Sequence, residues 1–175
     1  MRKSASMLAA CLAVAPALAE AAQPCLSPAE ASSLAAYALP SALSGTAKRC
    51  APALAPTSFL RSDGNALVAR YAARKARNWP QARAAFLKIG GKGDPGTDAL
   101  LSGLPDASLQ QMLDAVIEGM VAQEIPAERC QAIDHIVSLL APLPAENTAD
   151  LIVTVMGLAS EGSKVKSDKF SICKA

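Results

Sequence analysis

DASLQQMLDAVIEGMVA, residues Asp106 to Ala122, repeats its large apolar side chains every three or four positions. Leu109, Met112, Leu113, Val116, Ile117 and Met120 therefore fall on one stripe of a helix, the pattern of an amphipathic element that covers a core. Asp106, after Pro105, reads as its N-cap. Two further segments read the same way: about Ala127 to Leu140, with Ile133, Ile136, Val137 and Leu140 on one face, and about Ala145 to Ala159, with Leu151, Ile152, Val155, Met156 and Leu158. Turns at Ile125-Pro126 and Ala141-Pro142-Leu143-Pro144 join them, so the second half reads as a helical up-down-up unit with these faces, methionines included, turned inward.

The tripeptide Pro-Ala-Glu recurs at residues 28–30, 126–128 and 144–146. Proline at a first helical position loses no hydrogen bond, and glutamate two residues later lies in the positive end of the helix dipole. Ser27 before Glu30 adds a capping box. In the first half a helix from Pro28 is expected to kink at Leu39-Pro40, followed by a short helix to Arg49. Asn65 to Arg77 reads as a helix ended by Trp79-Pro80, with Trp79 packing at the joint, and a short helix then reaches about Ile89. Residues 90–97 read as a loop between two helical halves. With 38 Ala and six aromatics in 175 residues, the composition favours closely packed helices over a sheet. The expected fold is one small all-α domain, an irregular bundle of six to seven helices with two disulfides.

The first residues follow the export pattern. Arg2 and Lys3 precede an apolar stretch from Met7 to Ala15 and a small-x-small site at Ala17-Leu18-Ala19, so residues 1–19 read as a signal peptide cleaved after Ala19, leaving 20–175 as the domain. Leu8-Ala9-Ala10-Cys11 resembles a lipoprotein box, but a run beginning at Met7 leaves little apolar sequence before Cys11. Cleavage leaves Cys25, Cys50, Cys130 and Cys173, an even set suited to disulfides in a periplasmic or secreted protein. Four cysteines allow three pairings. If Pro40 folds the first segment back on itself, Cys25–Cys50 and Cys130–Cys173 are the bridges; if that segment is one straight helix, its ends lie too far apart.

Removing Arg2 and Lys3 leaves 15 basic residues against 15 acidic ones. A near-neutral chain lacks the cationic surplus that nucleic-acid binding needs. No other stretch approaches the roughly 18 apolar residues of a membrane-spanning helix. His135 is the single histidine, the cysteine spacings fit no zinc or redox motif, and Gly91-Lys92 is followed by Gly93 rather than Ser or Thr, so no metal, nucleotide or other cofactor is expected. Asp134 and His135 point about 100° apart on a helix and form no acid–base pair.

Charge is uneven along the chain. Residues 61–92 carry eight basic side chains and Asp63, whereas 94–161 carry eleven acids and Arg129. Arg70, Arg74 and Arg77 recur on one stripe, as an ion-pair seam with the acidic half or as a face for an anionic partner. These features suit a non-enzymatic exported protein that binds a partner protein or envelope component, or is structural. The alternative is a small apolar-ligand carrier or enzyme with a pocket between helices, lined by Met112, Ile117 or Met156; an exposed apolar or charged face instead favours partner binding. Intact mass of the exported chain is expected to begin at Glu20, and a diacylated mass beginning at Cys11 would overturn the cleavage site.

Overall fold

A computed structural model describes residues 25–90, 94–162 and 171–173; the expected signal peptide and lipoprotein box lie outside them. The domain is all-α. Its α-helices are α1 (Pro28–Cys50), α2 (Phe59–Ser62), α3 (Gly64–Ala72), α4 (Lys75–Gly90), α5 (Pro95–Gly103), α6 (Asp106–Glu124), α7 (Cys130–Leu140) and α8 (Ala145–Gly162). That is eight among the described residues, against the six to seven expected. The additional elements are α2 and α5; Asp94 caps α5 by accepting from the Thr97 amide at 2.9 Å, so part of the expected 90–97 loop is helical. The only β structure among the described residues is a two-residue parallel pairing of β1 (Cys25–Leu26) with β2 (Ser171–Ile172).

Ser27 and Glu30 begin α1 with a reciprocal capping box, each satisfying a backbone amide the helix leaves free. Lys88 lies 2.9 Å from the Glu30 carboxylate. Its hydrogen bond, followed by the Ser27 backbone amide and hydroxyl, holds that carboxyl at about 2.

The kink expected at Pro40 does not occur: α1 runs unbroken for 23 residues. A proline inside a helix costs about 3 kcal/mol, and here tertiary burial offsets it. α1 packs against α3, α4, α6 and α8, with Leu39 and Pro40 both buried. Its small residues make this possible: Ala31, Ala36, Ser41 and Gly45 are buried along it. The closest approach is at Gly45, where a Cβ would lie 2.5 Å from the backbone oxygen of Glu118 in α6. No methyl group fits between these two backbones.

The straight helix also decides the disulfides. About 34 Å of helix separates the two ends of α1, so Cys25–Cys50 is impossible, and the expected pairing is wrong. The bridges are Cys25–Cys173 and Cys50–Cys130, with Cα–Cα distances of 5.1 and 5.3 Å. Cys50 and Cys130 are fully buried beside Leu54 and Leu60, tying the end of α1 to the start of α7. Cys25–Cys173 joins β1 to the residue that follows β2, and Leu26 and Ile172 pack there with Ala31, Ala85 and Val153.

The three helices of the second half make their main contacts with other elements, not with one another. α6 and α8 pack on α1, and α7 packs on α2. The break in the basic segment falls at Ala73-Arg74 between α3 and α4, not at Trp79-Pro80, which lies inside α4. Trp79 is buried against Tyr37 with ring centroids 5.0 Å apart, together with Ala82, Leu109 and Leu113.

Gly45→Ala and Gly119→Ala should shift stability in opposite directions. Both sit inside helices, where alanine gains up to about 1 kcal/mol over glycine. A Cβ at Gly119 meets nothing within 4 Å, so that variant gains stability. At Gly45 the clash with backbone costs about 1–3 kcal/mol and outweighs the gain. Thermal melts of the two oxidised variants check both signs.

Candidate functional site

Lys75 at the start of α4, Asp114 in the middle of α6 and Ser41 in α1 meet in a polar tie beneath Tyr37. Lys75 pairs with Asp114, Ser41 Oγ donates to Asp114 Oδ1 at 2.8 Å, and Lys75 Nζ sits 4.3 Å from the centre of the Tyr37 ring. Burial, then the Asp114 charge, pushes the Tyr37 hydroxyl above its ordinary pKa, so it stays protonated. Ser41 directs its proton at a carboxylate that is already salt-bridged. This joins three helices and sets up no activated nucleophile of the kind a serine enzyme needs.

Asp134 also has a structural task. Its carboxylate accepts from the amides of Leu60 at 2.7 Å and Phe59 at 3.3 Å, capping α2 from α7. His135 beside it is exposed. A cap supplied from 75 residues away leaves no signal in the sequence around α2, which is why the four-residue helix was not foreseen.

Charge pairing takes a different route from the expected seam. Ion pairs among the described residues include Lys48–Glu118, Lys75–Asp114, Arg83–Asp106 at 3.0 Å and Lys88–Glu30 at 2.9 Å. Lys75 and Arg83 carry the contact between the basic and acidic stretches, while Arg70, Arg74 and Arg77 are exposed and belong to none of these pairs. The three do not form one helical stripe, because the α3–α4 break intervenes. Arg70 lies at the end of α3, donates from Nη2 to the Ala141 carbonyl and sits 5.6 Å from the centre of the Tyr71 ring.

Arg70 and Arg74 line one small open cleft; Arg77 does not. The other walls are Tyr71, Pro142, Leu143, Pro144 and Ala145, and the cleft holds about 200 Å³. Its floor is fixed: the buried Tyr71 hydroxyl lies 3.1 Å from the Leu143 carbonyl and 3.0 Å from Thr148 Oγ1. The 142–144 wall was legible only as a turn. Its partnership with α3 spans about 70 residues of sequence, beyond any local pattern.

Two apolar faces complete the surface. On α6, Leu109 and Leu113 are buried and Ile117 packs beside them, but Met112, Val116 and Met120 flank that stripe at i, i+4 and i+8, and Val116 is 50% exposed. On α8 the small residues Ala145 and Ala149, with Val153, face the core, and Leu151, Val155 and Leu158 are exposed, Leu158 at 65%. Ile136 and Leu139 on α7 are exposed as well. The expectation that the methionines fill the core is therefore wrong for Met112, Met120 and Met156. The 3.6-residue period finds an apolar stripe wider than the part that neighbours cover.

Among the described residues no cluster of His, Cys, Asp and Glu could hold a metal ion, and no helix is long and apolar enough to cross a membrane. Comparison with known proteins found no matching family model, no matching curated protein and no matching solved structure. The chain is a small disulfide-bridged all-α domain, and any functional assignment rests on its own surface.

Asp134→Ala should leave the Phe59 and Leu60 amides without their cap and cost about 1–2 kcal/mol. Since α2 packs on α7, amide hydrogen exchange should accelerate first in residues 59–62, which distinguishes a lost cap from general destabilisation.

Proposed function

We propose that this protein is an exported, non-enzymatic binding protein of an oxidising compartment, cleaved after Ala19, whose helical frame presents apolar faces to a partner protein. The exposed stripe Met112, Val116 and Met120, with Leu151, Val155 and Leu158 on α8, carries the reading. Contiguous exposed apolar side chains on a folded surface are characteristic of interaction sites, and methionine suits such a surface because its flexible thioether adapts to a partner's contour. A carrier would enclose Met112 or Met156, yet 36% of the first and 43% of the second is exposed. The two disulfides fit an oxidising compartment.

The test is affinity purification of the oxidised protein from its own compartment with three baits: the native chain, Met112→Gln/Val116→Thr/Met120→Gln, and Leu151→Gln/Val155→Thr/Leu158→Gln. A partner held by the native chain and lost from at least one variant of unchanged melting temperature is the expected result. Recovery of the same partner by all three baits would remove the apolar faces from the reading, and recovery of none by the native chain would remove partner binding itself.

A further inference from the structure

From the cleft between α3 and the turn before α8, we infer a binding site for a phosphate group, separate from the apolar faces and resting on different residues. Arg70 and Arg74 both line one cleft of about 200 Å³, and none of its lining residues is acidic. Among the described residues Lys48, Lys75, Arg83 and Lys88 are matched by acids of the same chain; Arg70 and Arg74 belong to no such pair, and they share one cleft. Like charges held side by side repel one another, and a doubly charged anion relieves that repulsion where a singly charged one does so only in part.

The guanidinium is also the group whose planar fork matches a tetrahedral oxyanion with paired N–H bonds. One Arg70 nitrogen is already fixed by the Ala141 carbonyl, and the side chain lies over Tyr71. Its remaining donors are thereby held in place, which lowers the ordering cost of binding. Pro142 and Pro144 stiffen the opposite wall, and the Tyr71 hydroxyl pins that wall through Leu143 and Thr148. The volume accommodates one phosphate group with a small substituent and falls short of the roughly 300–1,000 Å³ of sites for larger ligands. The phosphate therefore belongs to a small phosphomonoester or to the headgroup of an anionic lipid, with the rest of that molecule outside the cleft.

The experiment titrates the oxidised protein with inorganic phosphate at constant ionic strength, following backbone amide resonances, with acetate as the singly charged control. Saturable shifts at Tyr71, Leu143 and Ala145 are expected, with acetate weaker. Arg74→Gln should weaken binding by roughly tenfold or more, the size of losing charge-assisted hydrogen bonds, and Arg77→Gln, outside the cleft, by less than about twofold. Arg74 makes no hydrogen bond through its side chain to the rest of the fold among the described residues, so its replacement leaves the melting temperature unchanged. A second arm measures retention on phosphatidylcholine vesicles with and without phosphatidic acid. Binding to free phosphate assigns a soluble phosphomonoester; binding to phosphatidic acid vesicles alone, lost in Arg74→Gln, assigns the headgroup. Absence of both, acetate binding as tightly as phosphate, or equal weakening by Arg74→Gln and Arg77→Gln would overturn the site.

Discussion

The structure depends on α1 remaining straight through Pro40. An isolated helix carrying an internal proline bends or ends, because the ring displaces the preceding turn and one backbone carbonyl loses its donor. Here α3, α4, α6 and α8 enclose the helix, and each buried cluster of the core contains residues of α1 or is sealed by its last cysteine. Burial of small residues brings backbones close enough for dispersion contacts to accumulate over the whole length. The near contact of Gly45 with Glu118 is the extreme case of that packing.

The remaining architecture follows from this central rod. Because its ends are far apart, its two disulfides reach elsewhere: Cys50 to the start of α7, Cys25 to the C-terminal segment. Each closes a long loop, 80 and 148 residues in sequence, and so removes more freedom from the unfolded chain than a local bridge, on the order of 4–5 kcal/mol for one such loop considered alone. Because α6 and α8 pack on α1, and α7 on α2, their far sides carry exposed apolar side chains. The exposed apolar faces of α6 and α8 are a geometric consequence of a hub, where a closed three-helix unit would have buried them.

Electrostatics divides the same surface in two. The acidic half meets Lys75 and Arg83 at the α4–α6 side and Lys48 at the end of α1, so part of the complementarity visible in the linear charge distribution is used there. The arginines at the end of α3 face the 142–144 turn, which carries prolines and carbonyls and no acid. A balance of charge over the whole chain therefore coexists with a local positive cleft. Partially exposed ion pairs contribute modestly to stability, whereas an unmatched cationic cleft has a large effect on which ligands approach.

The sequence by itself determined the helical class and most helix starts, because these depend on neighbours within a few residues. The Ser27–Glu30 box and the three-four spacing of Leu109, Leu113 and Ile117 act over one or two turns; the starts near Asp106, Pro126 and Pro144 are right to within a few residues, with Pro105 and not Asp106 at the N-cap of α6 and Pro126 capping a 3-10 turn before α7. Pro40 and Trp79-Pro80 misled for the same reason: local chemistry favours a break, and only the burial of Leu39, Pro40 and Trp79 overrides it. The tertiary structure alone decided the disulfide pairing, the coverage of apolar residues and the company of each arginine. An apolar period says that a helix has a face to bury and does not name what covers it, so Met112 and Leu113 look equivalent in the chain while one is substantially exposed and the other buried. Likewise, Arg70 and Arg77 belong to one periodic set in sequence, but a break at Ala73-Arg74 and contacts some 70 residues away put only Arg70 and Arg74 on the cleft.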